Sequence, residues 1–125
     1  MDNNHKRALE SGLLIIERYL HNIEIKLMQK DRESKAILYF VSDDLKLKTK
    51  EGMLKVIPLI LNDIRQIKKA FELETRKESA RRQFYGELSE MWVILEDLMP
   101  EKLEAYGKVS KTDRERLRPH ILKRI

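Results

Sequence analysis

The chain has 125 residues, 42% of them apolar and 38% charged, with 26 Lys and Arg against 21 Asp and Glu for a formal net charge of +5. That length suits one domain, residues 1–125, large enough to bury a core, and the charge density excludes a membrane protein. The absence of cysteine removes disulfide frameworks, thiolate nucleophiles and cysteine-bound zinc or iron–sulfur sites, so stability has to come from packing.

Four glycines and three prolines are too few for a turn-rich β fold. The longest unbroken apolar run, Val56 to Leu61, is far below the roughly 20 residues of a membrane-spanning helix. The opening MDNNHKRALE has neither the apolar stretch nor the cleavage site of a signal peptide. A cytoplasmic location is expected, with no membrane partner.

The first helix is expected from about His5 to Lys30. Leu9, Leu13, Ile16, Leu20, Ile23 and Leu27 step by four and three, which stacks side chains on one helix face. Asp2, Asn3 or Asn4 can cap its start by accepting a backbone N–H. Leu14, Ile25 and Met28 fall outside that stripe, roughly 100–160° around the axis from Leu9 at 3.6 residues per turn. They need either a second helix of the same chain or a partner.

Asp31 to Ser34 interrupts the pattern and Ala36 to Val41, AILYFV, resumes it. A lone strand would leave backbone N–H and C=O groups unpaired, so a short helix capped by Ser34 is expected. Asp31, Ser34, Leu38, Val41 and Leu45 also continue the register of the first helix. One rod of about 60 Å is the alternative, too long for a compact domain. Lys46 to Gly52 reads as a basic connector, with Thr49 as a cap for the central helix.

The central helix, Met53 to Phe71, carries the strongest stripe: Met53, Ile57, Ile60, Ile64, Ile67 and Phe71. Leu54, Val56, Leu59 and Leu61 make its first half apolar nearly all round, which predicts burial on most sides. Pro58 lacks an N–H and crowds the preceding turn, so a kink, or a helix start near Ile57, is expected.

Thr75-Arg-Lys-Glu78 has the form of a capping box and predicts the start of a third helix. Phe84, Leu88, Met91, Leu95 and Leu98 form its stripe, and the run Met91 to Leu95 predicts deep burial. Pro100 stops it and opens a short helix, Glu101 to Tyr106, closed by Gly107. A second box, Thr112-Asp-Arg-Glu115, opens a last segment in which Leu117, Ile121 and Ile125 share a face and Pro119 bends or shortens the helix. The fold expected is an all-α, antiparallel bundle of three principal helices with short C-terminal helices, its core joining Leu20, Ile23, Ile60, Ile64, Leu88 and Leu95.

Candidate chemistry is sparse. Among the three histidines, His21 alone lies near carboxylates, Glu17 one turn before it and Glu24 three residues after, which reads as a helix-surface ion pair rather than a metal site. There is no Gly-x-Ser-x-Gly turn, no glycine-rich phosphate loop and no Glu-x-x-His pair. Glu87, Glu90 and Asp97 on the third helix read as a solvated face, and Tyr85 and Trp92 as packing. The expectation is a non-catalytic protein without cofactor.

Charge is uneven along the chain. Residues 45–83 hold eleven Lys and Arg against five Asp and Glu, residues 84–100 hold four acids and no base, and residues 101–125 hold eight against four. The third helix therefore carries bases near its N-terminus and acids near its C-terminus, opposing its macrodipole by about 0.3–1 kcal/mol per exposed charge. If the helices are antiparallel, Lys68, Lys69, Arg76, Lys77, Arg81 and Arg82 gather at one end of the bundle, joined by Lys6 and Arg7. Clustered bases attract phosphate through counterion release, but Glu72, Glu74 and Glu78 intervene and no stacking aromatic is interleaved. Residues 99–118 fail as a helix-turn-helix, because charged Lys102, Lys108 and Asp113 fall where that motif needs apolar packing.

The function expected is protein–protein interaction or self-association, as a homodimer or other homo-oligomer, through Leu14, Ile25, Met28, Tyr39 and Phe40. Nucleic-acid association through the basic end is the second reading, and a metal- or ligand-binding bundle the third.

Overall fold

The computed structural model describes residues Met1–Ile125. The chain is predominantly α-helical and divides into two compact units, Met1–Thr75 and Arg76–Ile125. Three long helices and two short C-terminal ones carry the structure, and no helix is long and apolar enough to cross a membrane.

The N-terminal unit is a pair of helices, α1 (Asn3–Met28) and α2 (Leu47–Ala70). Asp2 caps α1: its carboxylate accepts the backbone N–H of His5 at 2.8 Å. The stripe of α1 buries Leu20 and Leu27 against Ile57 of α2, with Leu45, Leu54, Ile60, Leu61 and Ile64 packed around them. Leu27, near the end of α1, thus shares a cluster with Leu45, just ahead of α2. At the other end the N–H of Glu74, past α2, donates to the Glu10 carboxylate near the start of α1 at 3.4 Å. The two helices therefore run antiparallel.

Of the six residues expected in the core, Leu20, Ile60 and Ile64 belong to this cluster. Ile23 lies exposed on α1, and Leu88 is likewise exposed. Val56 and Leu59 are exposed as well, so α2 buries one face rather than most of its circumference. The reason is simple: α1 covers a single side of it.

The central helix, expected from Met53 or else from near Ile57, begins at Leu47, so most of the expected connector Lys46 to Gly52 is helical, and Lys46 makes no side-chain cap. Thr49 sits inside the first turn instead of capping it. Packing replaces the cap, because Leu45 enters the core cluster immediately before the helix begins. Helix α2 continues through Pro58, which is exposed, although its ring supplies no N–H to the preceding turn.

After α2 the chain turns sharply. Leu73 N–H donates to the Lys68 carbonyl at 2.9 Å and Glu72 N–H to that of Lys69 at 3.4 Å, the bond pair of a Schellman motif. Glu72 occupies the left-handed position at φ 54°, and Leu73, just beyond, is buried.

Residues between α1 and α2 form neither a helix nor a continuation of α1. They form a small antiparallel hairpin, β1 (Ser34–Lys35) and β2 (Phe40–Val41), pairing Ser34 with Val41 and Lys35 with Phe40. The N–H of Ala36 donates to the Tyr39 carbonyl at 2.9 Å across the turn. A strand here is not alone: Phe40 and Val41, at the end of the apolar run, pair with Lys35 and Ser34 just before it, and the residues between form the turn.

The polar residues that broke the helical pattern build the hairpin's base. Arg32 grips the Asp43 carboxylate at both oxygens, each at 3.1 Å, and also donates to the Leu27 carbonyl at 3.4 Å, closing the end of α1. The Asp31 carboxylate accepts the Glu33 N–H at 2.9 Å.

The C-terminal unit opens on α3 (Ala80–Asp97), capped by Ser79, whose hydroxyl accepts the Arg82 N–H at 3.4 Å. The expected box at Thr75 and Glu78 does not form. The Thr75 hydroxyl accepts from the Lys68 ammonium and the Glu78 carboxylate from the Gln83 amide, so both side chains are engaged elsewhere. Pro100 then begins α4 (Pro100–Leu103), followed by one 3₁₀ turn, Glu104–Tyr106, and Gly107 at φ 148°. A side chain at Gly107 would be strained in that conformation.

Helix α5 (Lys111–Leu122) starts two residues before the position expected, because Ser110 rather than Thr112 supplies the cap, accepting the Asp113 N–H at 3.2 Å. It continues through Pro119. Ion pairs from Arg114 to Glu104 and from Arg118 to Glu101 tie it to the preceding turns. Pro100 and Ile121 are the buried residues of this unit.

Candidate interaction surfaces

The feature that departs furthest from expectation is α3. It carries the apolar run Met91 to Leu95 yet contains no buried residue. Phe84, Leu88, Met91 and Leu98 of its stripe, together with Tyr85, Trp92, Val93 and Ile94, are 41–65% exposed. Leu95 is half-buried. The expectation of deep burial is therefore corrected, as is the reading of Tyr85 and Trp92 as packing. Period-3.5 spacing identifies a face that needs covering but says nothing about which chain covers it.

The charges of α3 follow its axis. It has no acid in its first turn and no base in its last; Arg81 and Arg82 stand at one end and Glu96 and Asp97 at the other, all exposed.

A second apolar surface lies on the N-terminal unit. Ile25 and Met28 of α1 are 61% and 68% exposed, so the segment 35–42 does not fold back over them. Leu14 is half-buried. Tyr39 and Phe40 are exposed on the hairpin, and the Lys35 ammonium sits 5.9 Å from the Phe40 ring centroid. The hairpin tip, Ile37 and Leu38, is 98% and 95% exposed. Sequence reasoning missed the tip because it placed these residues on a helix; a turn built from apolar residues carries none of the usual turn formers that would mark it.

The six bases of the expected cluster divide between the units. Lys68 and Lys69 end α2, whereas Arg76, Lys77, Arg81 and Arg82 belong to the C-terminal unit, and all six are exposed. Within the N-terminal unit the antiparallel pairing brings Lys6 and Arg7 to the same end as Lys68 and Lys69. Glu10 and Glu74, joined by their hydrogen bond, lie at that end too, so the positive field there is diluted.

His21 Nε2 lies 3.8 Å from Glu17 Oε1, both side chains half-exposed on α1, but it is not alone among the histidines in lying near a carboxylate: His5 Nδ1 is 3.1 Å from the Asp2 carboxylate that caps the helix. No group of three or more His, Asp or Glu side chains is arranged to hold a metal ion. In the C-terminal unit an open depression of about 640 Å³ is lined by Leu103, Val109, Asp113, Arg116, Leu117 and His120. It is a shallow groove along α5, not an enclosed site of the kind that excludes water from a reaction.

No protein-family model, curated protein or solved structure matches this chain.

Proposed function

We propose that this protein is a cytoplasmic, non-catalytic helical protein that acts by self-association or by binding another protein. The observation that carries the reading is its exposed surface. On α3 of the C-terminal unit Phe84, Leu88, Met91 and Trp92 are 42–65% exposed, and on the N-terminal unit Ile25, Met28, Tyr39 and Phe40 are 54–68% exposed. Apolar side chain of this kind is what a partner surface can remove from water, at about 25 cal/mol per Å².

The second reading, nucleic-acid association, draws on the exposure of Lys68, Lys69, Arg76, Lys77, Arg81 and Arg82. Gel filtration with light scattering, run with and without duplex nucleic acid at low salt, separates the two. A mass of twice the chain or more, unaffected by nucleic acid, supports self-association. A 15.0 kDa monomer refutes self-association, and a salt-sensitive complex with the duplex promotes the second reading.

A further inference from the structure

Helix α3 carries more information than exposure alone, because its apolar stripe and its charges are arranged along one axis. Taking accessible areas of about 150–250 Å² for large side chains, the exposed fractions on its apolar face amount to about 600 Å². A stable interface buries about 800 Å² per partner, so this one helix supplies most of what a dimer needs.

The charges select the occupant. A parallel copy would set Arg81 and Arg82 beside the same arginines, and Glu96 and Asp97 beside the same acids. An antiparallel copy reverses this. With Leu88 opposite Met91 and Phe84 opposite Leu95, the register that aligns the two stripes also sets Arg81 within about two residues of the level of Glu96 of the second copy, on the same flank of the seam at about 3.6 residues per turn. The acids of each copy then lie by the positive N-terminus of the other's helix, and the bases by its negative C-terminus. The macrodipole, opposed by the helix's own charges, is complemented by those of its neighbour.

We propose that α3 is the seam of a two-fold, antiparallel dimer with a second copy of this chain. The proposal rests on the self-association reading and specifies its surface. The interface is isologous, so each contact occurs twice and the assembly closes.

Sedimentation equilibrium at low salt tests it with four forms of the full chain: wild type, Arg81→Glu with Arg82→Glu, Glu96→Lys with Asp97→Lys, and the combination of all four changes. Each double variant places like charges at both ends of the seam and weakens the dimer roughly tenfold to hundredfold. The fourfold variant restores opposite charges and recovers the affinity. These positions are exposed, so far-ultraviolet circular dichroism stays unchanged. Leu88→Glu with Met91→Glu gives a monomer. A dimeric wild type whose affinity is indifferent to all these changes overturns the α3 seam while leaving self-association intact. A monomeric wild type overturns both. Weakening in the double variants without recovery in the fourfold one overturns the antiparallel arrangement.

Discussion

Replacing Ile57 by Ala tests whether the N-terminal unit is held together where α1 meets α2. Ile57 is 4% exposed and packs with Leu20 and Leu27. The substitution removes three carbons, worth about 2.4 kcal/mol at about 0.8 kcal/mol per buried methylene. A cavity term is added where the neighbours do not collapse, which brings the expected cost to about 3–4 kcal/mol. Ile64 sits at the half-buried margin of the same cluster, and its replacement by Ala is expected to cost about 1–2 kcal/mol, since less surface is lost and water can enter the gap. Urea unfolding followed by far-ultraviolet circular dichroism measures both, at one fixed protein concentration because self-association adds to apparent stability. An Ile57→Ala variant within about 0.5 kcal/mol of wild type, or an Ile64→Ala variant costing as much as Ile57→Ala, would refute this account of the core.

Glu72→Gly is expected to stabilise by about 0.5–1 kcal/mol, because the left-handed turn after α2 favours glycine; a lower urea midpoint would contradict the assignment of that turn. Arg32→Ala removes the grip on Asp43 and the bond to Leu27, and amide exchange at Ala36 should rise while that in the middle of α2 does not. Ile25→Glu combined with Met28→Glu should leave the unfolding free energy within about 0.5 kcal/mol of wild type, since neither side chain is covered within the chain. A loss of several kcal/mol would place both residues in an intramolecular core instead.

Helix positions were the part of the fold most legible in sequence, because each long helix has a four–three stripe that no strand reproduces. Leu20 and Ile60 were identified as core residues for that reason. Helix boundaries were less legible, since several side chains compete for each cap: Thr75 and Thr112 have the right spacing, but Ser79 and Ser110 do the capping. The hairpin was hidden because its turn, residues 36–39, is apolar and holds no Gly, Pro, Asn or Asp to mark it, and its strands are two residues each. Leu73 was missed because it lies beyond the end of its helix, although an apolar residue after the last turn is a known companion of a Schellman turn. The candidate surfaces were only half legible. Periodicity located the stripe on α3, and the misplaced charges signalled an unmet electrostatic need, yet neither pattern distinguishes a neighbour in the same chain from one in another.

Trp92, the chain's single tryptophan, lies on α3 beside the stripe and is 48% exposed, which makes it a direct reporter of whether that helix is covered in solution. Acrylamide quenching of its fluorescence at micromolar protein concentration should be strongly suppressed relative to the Leu88→Glu, Met91→Glu monomer, because the second copy shields the indole. Equal and unhindered quenching of both proteins would contradict the central claim that a partner chain covers α3.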